Sequence, residues 1–195
     1  MQAVLIALTI VLGYLFGGLN GAIIISRCCA HEDVRKKGSG NAGLTNFHRN
    51  YGGGGSLLVI LVDVLKTVAA CLLGSWLMGR YGLADTGRML AGVACMVGHM
   101  FPVYFGFQGG KGILCGAALA ATMDVRAFAV VFGIFLVVVI LTRYISLGSI
   151  LAACSFPFAF AWAFPENWAV IGMAAGVAAL TIWMHRGNIS RLVHG

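Results

Sequence analysis

Long apolar stretches separated by short polar segments fill most of this chain of 195 residues. Hydrophobic residues make up 60% of it and charged residues only 10%, and its mean hydropathy is +0.93. A water-soluble domain carries roughly 25% charged residues and could not bury this much apolar surface. The sequence therefore excludes a disordered chain and a soluble α/β enzyme, and it predicts a protein that crosses a lipid bilayer several times.

The apolar stretches predict an all-α fold, a polytopic membrane helix bundle of about seven transmembrane helices in a single domain over residues 1–195. A span needs roughly 20 apolar residues, so the fourth and fifth stretches are short, and they could instead form one broken hairpin. Six or eight spans therefore stay open. The first stretch is too long for a signal peptide and has no basic segment before it, which predicts a retained span. The predicted spans lie near residues 3–25, 54–78, 89–105, 112–123, 127–142, 147–163 and 168–184.

Positive charge is distributed unevenly between the predicted loops. With seven spans, nine of the 13 Lys and Arg residues fall on one side and three on the other, while Lys66 lies inside a span. Cytoplasmic loops collect Lys and Arg, so the N-terminus is predicted to lie outside and the C-terminus in the cytoplasm. This pattern also accounts for most of the +7 net charge, so no nucleic-acid partner is predicted.

The first cytoplasmic loop combines glycines with neutral hydrogen-bond donors and cations. Glycines permit positive φ angles, so successive N–H groups can form an anion nest, and a guanidinium suits phosphate. The loop also contains a G-x-G-x-x-G spacing, but it follows a basic membrane boundary and not a strand, so no dinucleotide site is predicted. A flexible loop with positive-inside charge is the alternative. The candidate binding residues are Gly38, Ser39, Gly40, Asn41, Gly43, Asn46 and Arg49.

Three further polar segments on the same side carry similar residues. Lys111 lies among glycines just before a predicted helix, where N–H groups favour an anion, but without the spacing of an NTPase loop. Arg143 and Arg186 taken singly would be snorkelling side chains. Together with the first loop, the segments predict a site for a molecule with phosphate groups. Their candidate residues are Gly109, Gly110, Lys111, Gly112, Arg143, Ser146, Ser149, His185 and Asn188.

Two charged residues, Asp63 and Lys66, lie three positions apart inside the second predicted span. Charges at this depth normally face the interior of the bundle. The pair either fixes helix packing as an i,i+3 ion pair or belongs to the phosphate site, and the sequence leaves both open. His99 is predicted to pack between helices, because no second His or carboxylate stands at a metal-ligand spacing. No metal site is predicted, and five of the six cysteines lie in or beside apolar stretches, which predicts buried membrane thiols.

These polar blocks resemble those of the PlsY family, which are bacterial integral-membrane acyl-phosphate:glycerol-3-phosphate acyltransferases. The resemblance extends over nearly the whole chain, and Asp63 and Lys66 match the family's second helix. Gln108 departs from the pattern, since a basic residue is expected there, and residues 113–115 depart because small residues are common at these positions. The matching blocks are residues 37–43 with Asn46 and Arg49, then residues 98–102, 109–112, 143–149 and 185–189.

The resemblance implies transfer of a fatty acyl group from acyl phosphate to the 1-hydroxyl of glycerol 3-phosphate, giving lysophosphatidic acid and phosphate. It implies a multi-pass protein of the bacterial inner membrane whose active site faces the cytoplasm. No cofactor and no obligate protein partner are expected; the substrates and the lipid bilayer are the expected partners. Ser146 stays open as an alternative to Ser149. The residues implied to bind and catalyse are Ser39, Arg49, Lys111, Ser149, His185 and Asn188.

Acyl phosphate is an activated donor, so the reaction needs positioning, oxyanion stabilisation and a proton acceptor but no covalent nucleophile. Arg49 and Lys111 are expected to bind the phosphates with help from Arg143, and Ser39 and Asn41 to stabilise the oxyanion. The chain has no His-x-x-x-x-Asp pair, so the base is either His185 or a substrate phosphate. A small transporter for an organic phosphate is the alternative function. It would require inverted repeats and polar groups at the midplane, and only the Asp63 and Lys66 pair supports it.

Overall fold

The computed structural model describes residues 1–194 and has no strand in that range. Two short 3₁₀ turns, Val34–Lys36 and Val103–Phe105, lie in the polar segments. The predicted all-α class is confirmed. The ten helices of the described range are α1 (Gln2–Gly18), α2 (Gly21–Ala30), α3 (Leu44–Tyr51), α4 (Gly53–Gly79), α5 (Ala84–Met100), α6 (Ile113–Met123), α7 (Val125–Thr142), α8 (Ile145–Ala163), α9 (Trp168–Met184) and α10 (Arg186–His194).

The number of membrane spans is smaller than predicted. Five helical segments within residues 1–194 are long and apolar enough to cross a bilayer, and α9 with α10, bent by 55° at their junction, would make a sixth. Helix α6 has only 11 residues, which is about 17 Å at 1.5 Å per residue, well short of the hydrocarbon core. The count of seven is therefore not confirmed, and the orientation of the termini stays a prediction. The five segments are Gln2–Ala30, Gly53–Gly79, Ala84–Phe105, Val125–Thr142 and Ile145–Ala163.

The fifth stretch is longer than predicted, because α7 is a full helix of 18 residues and is long and apolar enough to cross a bilayer by itself. It begins two residues earlier than predicted, because Asp124 caps it. The Asp124 carboxylate accepts hydrogen bonds from the N–H groups of Arg126 and Ala127, at 2.8 and 3.1 Å. A side-chain acceptor at this position satisfies N–H groups that a helix otherwise leaves unpaired.

The helices form two compact units, residues Met1–Leu119 and the residues from Ala120 onward. In the first unit α1, α4 and α5 pack against one another, and glycines bring the backbones of α1 and α5 close together. A Cβ atom on Gly17 would collide with the main chain of Cys95, and one on Gly98 with that of Tyr14. In the second unit α8 packs against both α7 and α9. A single domain over residues 1–195 stays a prediction.

The first predicted span, residues 3–25, is divided into two helices by a break at Leu19 and Asn20. Asn20 is fully buried, and its Oδ1 accepts a hydrogen bond from the N–H of Ile23 at 3.1 Å, which caps α2. The carbonyl of Leu19 accepts a hydrogen bond from Lys66 Nζ at 2.9 Å. The break is therefore stabilised by buried polar groups inside the first unit.

Helix α3 lies in the first polar loop, where no helix was predicted. Leu44, Phe47 and Tyr51 share one face at helical spacing, and the rings of Phe47 and Tyr51 lie 4.9 Å apart between centroids. The glycines on both sides of these eight residues hid this amphipathic pattern in the sequence. The face packs on a buried cluster of Ala22, Ile23, Val34, Ala42 and Val59.

The six cysteines are free thiols, and only Cys71, Cys95 and Cys115 are buried. Cys28 and Cys29 are not buried but lie in the exposed last turn of α2. Cys154 is exposed on the surface of α8, which is one of the candidate membrane spans.

Candidate active site

Asn46 on α3 organises the loop of residues 38–43. Its Oδ1 accepts a hydrogen bond from the Ser39 N–H at 2.9 Å, and its Nδ2 donates to the carbonyls of Val34 and Lys37, both at 3.1 Å. Asn46 is only 5% exposed, and its hydrogen bond to the Val34 carbonyl is buried. The loop therefore has a defined backbone course, and the alternative of a flexible loop is not supported.

Two glycines of this loop adopt backbone conformations that other residues rarely take. Gly38 has φ +56° and Gly40 has φ +71°, in the left-handed region where a Cβ atom is disfavoured. The predicted positive φ angles are confirmed at these two positions. Gly43 instead has φ −125° and caps α3, so its contribution is to begin that helix.

An ion-pair cluster outside the predicted site fastens the first loop. The Asp33 carboxylate accepts hydrogen bonds from Arg35 at 2.8 Å and from Arg27 at 2.9 Å. Arg35 also donates to the carbonyls of Phe105 and Gln108, at 2.6 and 3.1 Å. The hydrogen bond from Arg35, together with one from Arg27, holds the pKa of Asp33 well below its usual range. In the sequence Arg35 is one cation among several, and no local signal identifies this role.

The loop of residues 109–112 is attached to the end of α5 through its main chain. The N–H groups of Gly109 and Gly110 donate to the carbonyls of Met100 and His99, at 3.0 and 3.1 Å. A Cβ atom on Gly109 would collide with the His99 carbonyl, and one on Gly110 with the Nε2 atom of the His99 ring. Glycine is therefore required by close packing at both positions, and Gly112 adds a third requirement with φ +76°.

The 38–43 and 109–112 loops lie side by side in the first unit. The Ala42 N–H donates to the Gly109 carbonyl at 3.4 Å. Lys111 is half-buried beside the start of α6, while Ser39 is exposed at the surface. Arg49 is exposed on α3, and its guanidinium forms no hydrogen bond or ion pair with any residue of the described range 1–194. The arrangement brings the two glycine loops and a lysine together, with an arginine on the helix that follows the first loop. The N–H groups of Gly40, Gly109 and Gly110 themselves donate to main-chain carbonyls.

A buried cluster beneath these loops has the composition of a metal site. Asp63, His99 and Cys115 place potential ligand atoms within 4.8 Å of one another. However, Lys66 Nζ donates to Asp63 Oδ1 at 2.6 Å and lies 3.0 Å from His99 Nδ1. An ammonium group already lies where a cation would bind these two residues. We interpret the cluster as an internal polar network.

The polar ends of α8 and α10 meet in the second unit. Asn188 Nδ2 donates to Ser146 Oγ at 2.5 Å. Ser149 lies one turn further along α8, where it is 3% exposed and its hydroxyl donates to the Ile145 carbonyl at 2.9 Å. Ser146 is therefore the serine that contacts Asn188, whereas Ser149 is held within its own helix.

His185 stands at the junction of α9 and α10 with a defined tautomer. Its Nδ1 lies 2.8 Å from the carbonyl oxygen of Thr181. A carbonyl only accepts hydrogen bonds, so Nδ1 carries the proton in the neutral ring and Nε2 is the basic nitrogen. The ring is 3% exposed, which fixes its orientation.

Arg143 ends α7 in a left-handed conformation, with φ +61°, and its N–H donates to the Val139 carbonyl at 2.8 Å. Its side chain is exposed and forms no hydrogen bond or ion pair within residues 1–194. Arg143 and Arg49 are thus the two predicted phosphate ligands that the structure does not join to another candidate residue.

Known proteins resemble this chain over almost its full length. The family model described as glycerol-3-phosphate acyltransferase matches residues 7–195. Proteins of that name from Thermoanaerobacter sp. (strain X514) and Shouchella clausii (strain KSM-K16) are 38% and 39% identical to it over 188 and 191 residues. Each alignment covers 96% of this chain and 92% of the relative.

Two crystal structures of PlsY, an integral membrane glycerol 3-phosphate acyltransferase, also resemble the chain. The glycerol 3-phosphate form matches with a TM-score of 0.84 and 32% identity over 96% of this chain and 92% of that one. The lysophosphatidic acid form matches with a TM-score of 0.81 and 31% identity, covering 96% of this chain and 91% of that one.

Proposed function

Since this chain belongs to the glycerol-3-phosphate acyltransferase family, we propose that it takes its acyl group from an acyl phosphate at the cytoplasmic face of a bacterial inner membrane. The protein is an integral membrane enzyme that acylates glycerol 3-phosphate to lysophosphatidic acid. The donor, the residue roles and the orientation are the proposed parts.

The observation that best supports an acyl-phosphate donor is the pair of glycine loops at residues 38–43 and 109–112. They are held side by side, and they carry the Lys111 ammonium, the Ser39 hydroxyl and the Asn41 amide, which together suit phosphate oxygens. Both proposed substrates carry a phosphate, and so do both products, lysophosphatidic acid and inorganic phosphate. A site rich in anion-binding groups is what this chemistry requires.

In the proposed reaction, the 1-hydroxyl oxygen of glycerol 3-phosphate attacks the acyl carbon of the mixed anhydride. A C–O bond forms to glycerol, the C–O bond to phosphate breaks, and inorganic phosphate leaves with the electron pair. Arg49 and Lys111 bind the phosphate groups with Arg143, and Ser39 and Asn41 donate to the tetrahedral oxyanion. No covalent enzyme intermediate is needed, because phosphate is already a good leaving group.

The hydroxyl proton goes to His185 Nε2 or to a substrate phosphate. The hydrogen bond from His185 Nδ1 to Thr181 supports the first choice, because it leaves Nε2 as the basic nitrogen. Ser149 and Asn188 are assigned to catalysis through the family resemblance. Ser146 is assigned to holding Asn188, since its hydroxyl accepts the hydrogen bond from that amide.

Phosphate release from palmitoyl phosphate by purified protein, with and without glycerol 3-phosphate, tests the proposal. We expect release to depend on glycerol 3-phosphate. We expect Lys111→Ala to lower kcat/KM about 10²–10³-fold, the usual effect of removing one group that stabilises transition-state charge. Lys36→Ala is the matched control, because Lys36 is an exposed cation of the same region whose ammonium group forms no hydrogen bond or ion pair in residues 1–194.

Phosphate release that does not depend on glycerol 3-phosphate, or full activity in Lys111→Ala, would contradict the proposal. The proposed orientation is tested with a membrane-impermeant maleimide, since Cys28 and Cys29 are exposed at the end of α2. They should be labelled in inverted vesicles but not in intact spheroplasts, and the Cys28→Ala/Cys29→Ala variant gives the background. Labelling of these cysteines in intact spheroplasts would contradict the proposed orientation and indicate the opposite one.

A further inference from the structure

Helix α4 carries two charged residues near its middle that helix packing alone does not explain. The side chains of Asp63 and Lys66 are 1% and 3% exposed, and Nζ lies 2.6 Å from Oδ1. Charges inside a membrane protein are costly, and apolar residues of similar size often pack as well as a buried ion pair. An ion pair at this depth therefore suggests a role beyond stabilising its own helix.

The pair reaches out of its own helix to the break between α1 and α2. Asp63 Oδ1 accepts a hydrogen bond from the Gly21 N–H at 3.1 Å, and Lys66 Nζ donates to the Leu19 carbonyl at 2.9 Å. The residue between them, Asn20, donates through Nδ2 to the Ala42 carbonyl at 3.1 Å. Two steps thus connect the ion pair with the 38–43 loop.

The same pair also reaches the 109–112 loop through His99. Lys66 Nζ lies 3.0 Å and Asn20 Nδ2 lies 3.5 Å from His99 Nδ1. The Lys66 ammonium is the nearest of the groups that face Nδ1 and can only donate, so Nδ1 accepts from it, while the Asp63 carboxylate oxygen lies further from Nδ1 at 3.5 Å. The Nε2 edge lies against Gly110, where a Cβ atom would collide with it, and the His99 carbonyl accepts the Gly110 N–H.

We propose that Asn20, Asp63, Lys66 and His99 form a positioning network that fixes the main chain of the 38–43 and 109–112 loops for phosphate binding. None of the four residues needs to touch a substrate. The network sets the backbone at Ala42 and Gly110 and, through it, the direction of neighbouring N–H groups and of Lys111. This inference rests on the proposed function, in which the two loops bind phosphate.

The test compares the doubly neutral variant Asp63→Asn/Lys66→Met with the wild type. Removing both charges avoids leaving one buried charge unpaired, so the variant should keep a thermal midpoint close to that of the wild type. We expect KM for glycerol 3-phosphate to rise about tenfold, which corresponds to the loss of roughly one hydrogen bond. Hydrogen exchange at the amides of residues 107–112 should also become faster in the absence of substrate.

The matched control is Asp85→Asn/Arg88→Met, which removes an i,i+3 ion pair of the same spacing from α5. This variant should leave KM and loop exchange unchanged. A second comparison uses His99→Asn and His99→Ala. The Asn carbonyl oxygen can accept a hydrogen bond from Lys66 in place of Nδ1. KM for glycerol 3-phosphate should therefore stay closer to the wild-type value in His99→Asn than in His99→Ala.

Two results would overturn the network: unchanged KM and exchange in the doubly neutral variant, or a fall in kcat and thermal midpoint with KM unchanged. The second result would show that Asp63 and Lys66 only stabilise the fold. The exchange measurement is independent of the acyl donor. If the wild type releases no phosphate in response to glycerol 3-phosphate, the proposal of an acyl-phosphate donor is wrong. Hydrogen exchange at the loop amides then tests the network by itself.

Discussion

The two units hold their candidate site residues by different means. In residues 1–119, main-chain hydrogen bonds, left-handed glycines and the Asp33 and Arg35 ion pair fix two adjoining loops. From Ala120 onward, the candidates are side chains at helix ends, and side-chain hydrogen bonds hold several of them, as with Asn188 and Ser146. The first region therefore depends on backbone geometry and the second on individual functional groups, and substitutions should affect them differently.

The largest expected effect is in the second unit, at His185. If Nε2 accepts the hydroxyl proton, His185→Ala should lower kcat by about 10²–10⁴-fold, the usual contribution of a general base. The wild-type rate should fall at low pH as the imidazole takes up a proton, and this dependence should vanish in the variant. A pH–rate profile of both proteins checks this. Unchanged catalysis in the variant would assign the proton to a substrate phosphate.

A Gly→Ala substitution should affect the two regions differently, because the added methyl group has space in the second unit but not in the first. In Gly110→Ala it would collide with His99 Nε2 and lie 2.8 Å from the Ala42 carbonyl. Overpacking costs about 1–3 kcal/mol, so we expect a loss of about 5- to 100-fold in kcat/KM if the loop shifts. Gly187→Ala is the counterpart in the second unit, where nothing lies within 4 Å of the added atom. Equal kinetics for the two variants would contradict the backbone dependence of the first region.

The Asp33 ion pair gives the first region a pH dependence. Arg35 and Arg27 hold the pKa of Asp33 below its ordinary 3.8, so the carboxylate stabilises the fold above the unfolded-state pKa and loses this contribution as pH falls below it. Asp33→Asn should lower the free energy of unfolding by about 1 kcal/mol at neutral pH. The difference from the wild type should be constant above about pH 5 and shrink below about pH 4.

Thermal unfolding measured from pH 3 to 7 checks this dependence. The comparator in the second unit is Asp124→Asn, because hydrogen bonds from Arg126 lower the pKa of Asp124 as well. Asn can still cap α7, so this variant should lose less stability than Asp33→Asn. A pH-independent difference for Asp33→Asn would show that its carboxylate charge is unimportant.

The smallest expected effect is at Arg143, where charge and backbone strain are separable. Glycine fits φ +61° without the cost of about 1 kcal/mol that a Cβ atom brings there, so Arg143→Gly should be as stable as the wild type or slightly more stable. Its KM should rise several-fold if the guanidinium binds phosphate, and Arg143→Lys should keep most of the binding. Unchanged KM in Arg143→Gly would remove Arg143 from the proposed site.

The sequence was sufficient for the fold class and for the polar blocks, because both are local properties of composition and spacing. It was insufficient for the helix limits, since hydropathy does not distinguish the 11 residues of α6 from a full span. It also missed the amphipathic α3 between its glycines. The links from Arg35 to Gln108 and from Lys66 to Leu19 join distant parts of the chain, and no pattern within one segment predicts them.

The break between α1 and α2 also bears on how the chain enters the bilayer. The Leu19 carbonyl and the Gly21 N–H bind partners on α4, in Lys66 and Asp63, which are synthesised some 40 residues later. Until α4 arrives, the open backbone groups of the break lack these bonds, and the two charges of α4 lack their neighbours. Insertion of the first two helices and docking of α4 should therefore be coupled, because α4 supplies the hydrogen bonds that the break between α1 and α2 lacks.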